Sequence, residues 1–535
     1  MKKLMLSVVM TLGFGLMQTT AYTQTVQVEK THPLSGKARR GTLAHVEFTN
    51  GNYILTYVTS ETKKKMKFQV YTFDKDFNFI SQADDELEFE QAKTKYKWFK
   101  FQKEEYVVEG LSVEPNMMGT LVLKKKRVTH SFDPVFWGYR KKTEILEKVK
   151  PKTEEGNKLF YYRHIEDDNT GDAYVLVGEK PKNMKDKDDA DRQMRKYHIM
   201  RFNKDCDLVS DLPFEFTYPV SLVDIHIVPV PEPTEVGVAS IGDINLMFAP
   251  GKIKGMTNNE AADKYQFTYM RVDNTNKLVA RFDFKSPATG WRVDEMIAGD
   301  EKGTDIYYYG VAAEGDEDYW NMAYMAKKYK AVQLMKIHEN KMEYITSTNL
   351  EEFKSKLKTP PGQKKTPEYQ GKKFDIASYS SAPNGDFFVM GQNIEQSDKG
   401  KRFKDVLSFH FDNKGVLRSQ YGLDIIETND LAQARLTPQQ LLPGASAGNM
   451  YWFVREIDGV NAADRLLTYG RIGKIDMNGA TVGDFKILGS ANNKKPDYFL
   501  DPNFPYLTSE TPGTVVFFGS DKKEKNLWFS RVFLD

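Results

Sequence analysis

The chain reads as an all-β protein, a β-propeller of eight four-stranded blades closed by an N-terminal strand, with a seven-bladed ring as the alternative. Three observations lead there: a strand-turn-strand unit that recurs along the chain, a second recurring run that is apolar and mostly ends in glycine, and a spare strand at the N-terminus where the last unit is one strand short.

The first unit is an alternating run, an acidic or Asn-containing turn, and a second alternating run. It occurs as "VYTFDKDFNFIS" (70–81), "IMRFNKDCDLVS" (199–210), "YMRVDNTNKLVARF" (269–282), "LMKIHENKMEYI" (334–345), "FHFDNKGVLRS" (409–419) and "GKIDMNGATVGDF" (473–485). A period of two marks strands with one buried face, and Asp, Asn and Gly supply the turn between them.

Ahead of each hairpin comes an aromatic and β-branched run: "GNYILTYV", "EEYVVEG", "GDAYVLVG", "EVGVASIG", "DIYYYG", "DFFVMG", "NMYWFVR" and "TVVFFG", ending at Val58, Gly110, Gly178, Gly242, Gly310, Gly391, Arg455 and Gly519. Of the seven intervals, three are 64 residues and two are 68, which unrelated domains would not produce. An unbroken apolar run of this length is a strand covered on both faces.

Weaker strands, such as "KYKWFKF" and "WRVDEMIAG" before these runs and "EFTYPV" or "VARFDF" after them, bring each unit to about four. Four-stranded units set radially leave only short, protected edges. The last unit stops at its third strand, "NLWFSRVFLD", and "TVQVEK" (25–30) precedes the first unit, so the N-terminal strand is expected to complete the final blade. The unit around "GTLVLKKKRVTHSF" lacks a clear outer turn and leaves seven blades open. Two tandem sandwiches would not explain the spacing.

Lys2 and Lys3, the apolar run Leu4 to Met17, and the small residues up to Thr23 form a signal peptide over 1–23, leaving 24–535 as one propeller domain of an exported protein. No later run approaches 18 apolar residues, so no transmembrane segment is expected. Without Lys2 and Lys3 the basic residues equal the 74 acidic ones, so no global field recruits nucleic acid. Cys206 is the only cysteine; it excludes an internal disulfide, and its neighbours Asp205 and Asp207 disfavour a thiolate, so it reads as a turn residue.

Long insertions at 180–196, 248–266 and 312–330, with a shorter one at 394–404, join second to third strands, and 350–373 joins one unit to the next. All map to one face of a propeller. Loops that grow on one side of a rigid scaffold are where binding sites arise. "DYWNMAYMAKKY" (318–329) makes Tyr319, Trp320 and Tyr324 the candidate partner-binding residues, against the alternative of a lid packed on the ring.

Motifs for chemistry are sparse. The run Asp186, Asp188, Asp189, Asp191 lacks the Gly and terminal Glu of a calcium loop, and His164, Glu166, Asp167 and Asp168 stand without a second histidine at ligand spacing. No catalytic, cofactor or metal residue is assigned. The chain resembles secreted or periplasmic propellers of the kind common in Bacteroidota. The resemblance implies fold and compartment, the periplasm first and the extracellular space second. The expected function is a non-enzymatic module, monomeric or within a hetero-complex, that binds an envelope protein or glycan. The alternative is a glycan-active hydrolase or lyase with carboxylates at the propeller mouth.

Overall fold

A computed structural model describes residues 24–61, 65–96, 98, 106–133, 138–167, 169–179, 194–228, 240–250, 266–287, 290–299, 303–313, 330–371, 374–397, 400–425, 430–461, 465–509 and 511–535. The signal-peptide segment lies outside them.

β1 (Gln24–Pro33) and the short α1 (Gly36–Arg40) lead into a four-stranded antiparallel sheet of β2 (Thr42–Thr49), β3 (Asn52–Glu61), β4 (Lys65–Asp74) and β5 (Phe79–Glu88). After α2 (Phe89–Lys95) comes a three-stranded sheet of β6 (Tyr106–Pro115), β7 (Leu121–Asp133) and β8 (Gly138–Val149). Of "KYKWFKF", expected to be a strand, only Lys95, Tyr96 and Trp98 are described; Lys95 closes a helical turn whose Ala92 and Tyr96 pack on Met66 and Phe68.

The third sheet holds β9 (Leu159–Glu166), β10 (Ala173–Glu179), β11 (Lys196–Phe202) and β12 (Leu208–Glu215), and the fourth holds β13 (Val220–Ile227), β14 (Ile244–Pro250), β15 (Phe267–Val272) and β16 (Leu278–Phe284). Here the sequence reading needs correction. The second strand of the fourth sheet is "INLMFAP", not "EVGVASIG", because its first six residues are buried on both faces. In consequence 248–250 belong to a strand and not to an insertion.

The fifth sheet is β17 (Gly290–Trp291), β18 (Glu295–Ala298), β19 (Asp305–Ala313), β20 (Ala331–His338) and β21 (Lys341–Asn349). Then α3 (Leu350–Ser355) and β22 (Leu357–Lys358) precede β23 (Phe374–Ser381), β24 (Phe387–Ser397), β25 (Gly400–Phe411) and β26 (Leu417–Leu423); β22 pairs in parallel with β26. After α4 (Asp430–Gln433), a nine-stranded sheet combines β27 (Gln439–Pro443), β28 (Asn449–Val460), β29 (Leu466–Asp476) and β30 (Thr481–Ile487) with β31 (Tyr498–Leu500), β32 (Tyr506–Thr508), β33 (Thr514–Asp521), β34 (Asn526–Leu534) and β1. The fold is all-β and propeller-like, built largely of four-stranded antiparallel meanders.

The N-terminal strand pairs with the last strand of the chain. β1 runs antiparallel to β34 from Gln24 opposite Leu534 to Pro33 opposite Asn526, and Glu29 accepts a 2.6 Å hydrogen bond from the Trp528 indole.

Consecutive sheets pack face to face through buried clusters. Tyr197 and Ile199 meet Phe248 and Met270, Tyr269 meets Tyr308, Tyr309 meets Phe387 and Val389, and Met390 meets Trp452. The last strands also pack on the first sheet, Phe518 and Phe529 against Tyr53 and Phe73. Two of the glycines that end the inner runs face the backbone of the first strand of their own sheet: a Cβ at Gly310 would collide with the Arg292 carbonyl, and one at Gly391 with the Asp375 carbonyl.

All six hairpins read from the sequence form. In four of them an Asp or Asn side chain opens the turn by accepting two backbone N–H bonds: Asp74, Asn203, Asp273 and Asp412, at 2.8–2.9 Å. The turn then needs a left-handed residue, supplied by Phe77 (φ 60°), Cys206 (φ 70°), Asn276 (φ 66°) and Gly415 (φ 77°).

That residue lies against the sheet before its own. Phe77 stacks on Phe529 at 5.1 Å, Cys206 joins Leu121 and Leu123, and Asn276 donates to the Ile199 carbonyl at 2.8 Å and the Ser210 hydroxyl at 3.1 Å. The hairpins of the later sheets do the same: Arg271 donates to Asn340, Thr346 to the Gly415 carbonyl, and Ser419 to the Ala480 carbonyl. In the last sheet β1 stands in the outer position, and Gln24 donates to the Ile472 carbonyl of the neighbouring strands.

Two outcomes check this account. Asn276→Ala removes two buried hydrogen bonds and should lower unfolding stability by about 1–3 kcal/mol, measured by urea denaturation against Lys277→Ala as an exposed control. A chain beginning at Leu34 leaves β34 as an open edge and should melt at lower temperature with weaker cooperativity in calorimetry; an unchanged melting curve would show that β1 contributes nothing.

Candidate functional site

Tyr319, Trp320 and Tyr324 lie outside the described residues, as do 180–193, 251–265 and 314–329, which make up most of the three long insertions. On one side their described flanks, Glu179, Pro250 and Ala313, end the second strands of the third, fourth and fifth sheets; on the other, Met194, Gln266 and Lys330 stand one or two residues before the third strands. The Asp186 to Asp191 run also falls outside.

The other two insertions are described except for 372–373 and 398–399, and their described residues are structural. Residues 394–404 extend the β24–β25 hairpin, with Ile394 paired to Phe403. In 350–373, Asn349 caps α3 by accepting from Glu352 N at 2.9 Å, and Phe353 and Tyr369 are buried against Phe409. The expectation that this segment contacts a partner is therefore corrected for its two aromatics, which fill the core.

Cys206 is a turn residue whose thiol is pushed up by burial and then by the Glu147 charge. Asp167 is nearly inaccessible; its carboxylate accepts from Asn169 N and from the backbone and hydroxyl of Ser240, so it organises the β9–β10 turn. His164 bonds the Tyr161 hydroxyl at 2.8 Å and Glu166 at 3.3 Å.

A buried acid–histidine pair, Asp386 and His410 at 2.7 Å, has the look of a catalytic dyad. Its position in the repeat says otherwise. Each of four consecutive sheets places an Asp at the start of its second strand and a basic side chain on the third strand, opposite the residue two further on: Asp172 with Arg201 (2.7 Å), Asp243 with Arg271 (2.6 Å), Asp305 with Lys336 (3.4 Å) and Asp386 with His410. A constellation repeated in four sheets is scaffold.

Further polar pairs lie within first strands: His45 with Glu47 at 3.5 Å, His164 with Glu166 at 3.3 Å, and a shorter one on β13. Asp224 and His226, two apart on one face of β13, bond at 2.6 Å (Oδ2 to Nδ1) just after a bulge at Leu222/Asp224. The charges that act on His226 include Glu295 of β18 and Arg163 of β9, and Glu295 in turn acts on Tyr379 of β23. Residues of four sheets thus act on one another electrostatically. The hydrogen bond that His226 donates to Asp224 raises the His226 pKa against its burial. Burial, then Asp294 and Asp224, push Glu295 above the usual carboxylate range while His226 opposes them. Beside it Asp294 is also raised by burial despite its 2.6 Å pair with Arg292. A carboxyl with a raised pKa and a His–Asp pair that act on each other are equipment for proton transfer or for gripping a polar ligand.

Sequence reasoning missed these residues because each strand contributes only one or two. The available signal was Asp224 and His226 at alternate positions within the apolar run "SLVDIHIV".

No family model matches the chain, and no curated protein matches it. Among solved structures, lignostilbene dioxygenase of Pseudomonas brassicacearum is 8% identical, with 87% of this chain and 89% of that chain covered and a TM-score of 0.27. The WD40 domain of SCAP from fission yeast is 9% identical over 94% and 98%, at 0.23. A member of the DUF4221 family from Bacteroides vulgatus is 9% identical over 70% and 93%, also at 0.23. Likenesses at these scores carry no argument for activity.

The two histidine environments give opposite titrations. His226 should titrate above the usual 6.5 and His410, where burial outweighs the Asp386 bond, below it. A raised pKa means that the His226 contribution to stability is complete below pH 6.5 and is lost as pH rises through its folded value. NMR titration of both rings, with Asp224→Asn expected to bring His226 down, checks the assignment.

Proposed function

We propose that the chain is one eight-bladed propeller closed by β1, exported, and acting as a non-enzymatic binding module for an envelope protein or glycan. What supports the blade count is the repeat of six clasped hairpins, the division of the nine-stranded sheet at β31 into two units, and the packing of the last strands on the first sheet. The three-stranded sheet of β6 to β8 takes the place of the irregular unit. Export rests on the Lys2–Thr23 segment, and the periplasm is the compartment proposed. No helix among the described residues is long and apolar enough to cross a membrane.

The observation that carries the binding role is the contrast between the two edges of the sheets. One edge carries the outer hairpins, each short and held against its neighbour, together with a single sheet's longer connection, 228–243 between β13 and β14. The other carries the second-to-third-strand connections, and only there do three consecutive sheets insert long segments. With a photo-crosslinking amino acid at position 320, intact cells should yield a discrete adduct, and none with the same group at Lys414. Adducts from Lys414 and none from 320 would place the working surface on the wrong edge. Fractionation of the same cells should recover a processed chain with periplasmic markers.

A second reading, glycan hydrolysis or elimination, is favoured by Glu295 and the Asp224–His226 pair. If it holds, purified protein releases reducing ends or unsaturated products from an envelope polysaccharide, and Glu295→Gln lowers the rate by about 10²–10⁴.

A further inference from the structure

On the third sheet, between the β8–β9 connection and the outer strands β11 and β12, lies a cavity of about 540 Å³ that is separate from the Asp224–His226 pair. Its floor is His198, only 6% exposed. One ring nitrogen, Nδ1, faces both Asp211 oxygens at 3.0 Å, and the other, Nε2, faces Glu179 Oε1 at 3.1 Å. Glu179 is held in turn by the Asn157 amide at 2.9 Å. A neutral imidazole has one N–H and cannot satisfy carboxylates at both nitrogens, so the geometry calls for the imidazolium. Burial works against that charge, and the two carboxylate bonds outweigh it.

The rim adds Glu154, Glu155 and Glu215, with Lys196 as the cation among them. Glu154 and Glu215 have no ion-pair partner among the described residues, and both are exposed. With His198 charged, five carboxylates face two cations. Phe214, stacked on Tyr197 at 5.8 Å, gives the cavity an aromatic wall.

We propose that this cavity binds the ammonium or guanidinium group of an organic cation. Its volume is in the range of small-molecule sites, roughly 300–1,000 Å³, and among the described residues no three side chains converge as metal ligands. The rim carboxylates accept charge-assisted hydrogen bonds from the cation, and the Phe214 face takes its apolar side or its charge. The buried ion triad sets the floor at a fixed depth. The site stands whether or not the chain is exported and whatever its blade count, because it is built within one sheet and its incoming connection.

The test is calorimetric titration of the chain lacking residues 1–23 with spermidine, with N-acetylarginine amide and with a tetra-arginine peptide. Binding of at least one is expected, weakened about tenfold or more by Glu215→Gln or Glu154→Gln and unchanged by Glu61→Gln, a remote exposed carboxylate. The His198 ring signals should shift on addition of the same probe. Preference for spermidine identifies a free polyamine and preference for the peptide identifies a basic side chain of a protein; both support the site. Absence of binding to all three, or equal weakening by Glu61→Gln, overturns it. Because Glu154 and Glu215 are exposed, the variants should keep the wild-type circular dichroism and melting curve.

Discussion

The constraint on which the rest depends is the left-handed residue at the tip of each outer hairpin. It reverses the chain between third and fourth strands, and it also carries the contact that fixes the neighbouring sheet. Phe77 does this with an aromatic stack, Asn276 with two hydrogen bonds, and Cys206 by entering an apolar cluster. The chemistry varies while the position does not, so geometry and not residue type is repeated. A non-glycine residue with positive φ is strained, and at these tips the burial or bonding of the side chain offsets that strain.

This constraint divides the labour between the two edges of the sheets. A hairpin that must reach the preceding sheet cannot lengthen without losing its contact, and the outer hairpins are uniformly short. Connections between second and third strands carry no such duty. They vary from the strand extension at β24–β25 to the long segments of three consecutive sheets. The Asp–cation pairs at the start of the second strands belong to the constrained edge. Arg271 shows why: it bonds Asp243 of its own sheet and also the Gly303 carbonyl and Asn340 of the next. The same reasoning separates Asp386–His410, a member of a cross-strand series, from Asp224–His226, a pair within one first strand.

Much of the architecture was legible in the chain because turn chemistry is local. Asp or Asn followed three residues later by a left-handed position marks a hairpin wherever it occurs, and the partner strands lie next to it in sequence. The inner strands were legible for a similar reason, since five or six apolar residues in a row have to be covered on both faces. Legibility failed where two such runs competed, as "EVGVASIG" and "INLMFAP" do within one unit, and where an aromatic-rich stretch, "KYKWFKF", begins as a helix end. Propensity does not choose between adjacent apolar segments; packing against the neighbouring sheet does.

What the sequence by itself determined is the all-β class, the six outer hairpins and the pairing of the N-terminal strand with the last one, all of which follow from local turn signals and from counting strands per repeat. Only the tertiary structure decided which polar residues meet. Glu179, His198 and Asp211 converge across three strands of one sheet, and the Asp224–His226 pair feels the charges of Glu295 and Arg163 from two other sheets. The reason is physical: in a β-sheet the backbone sets which residues are opposite, but side-chain charge networks form across strands and between sheets. Their members are separated in sequence by whole loops, and no local pattern records the distance between them.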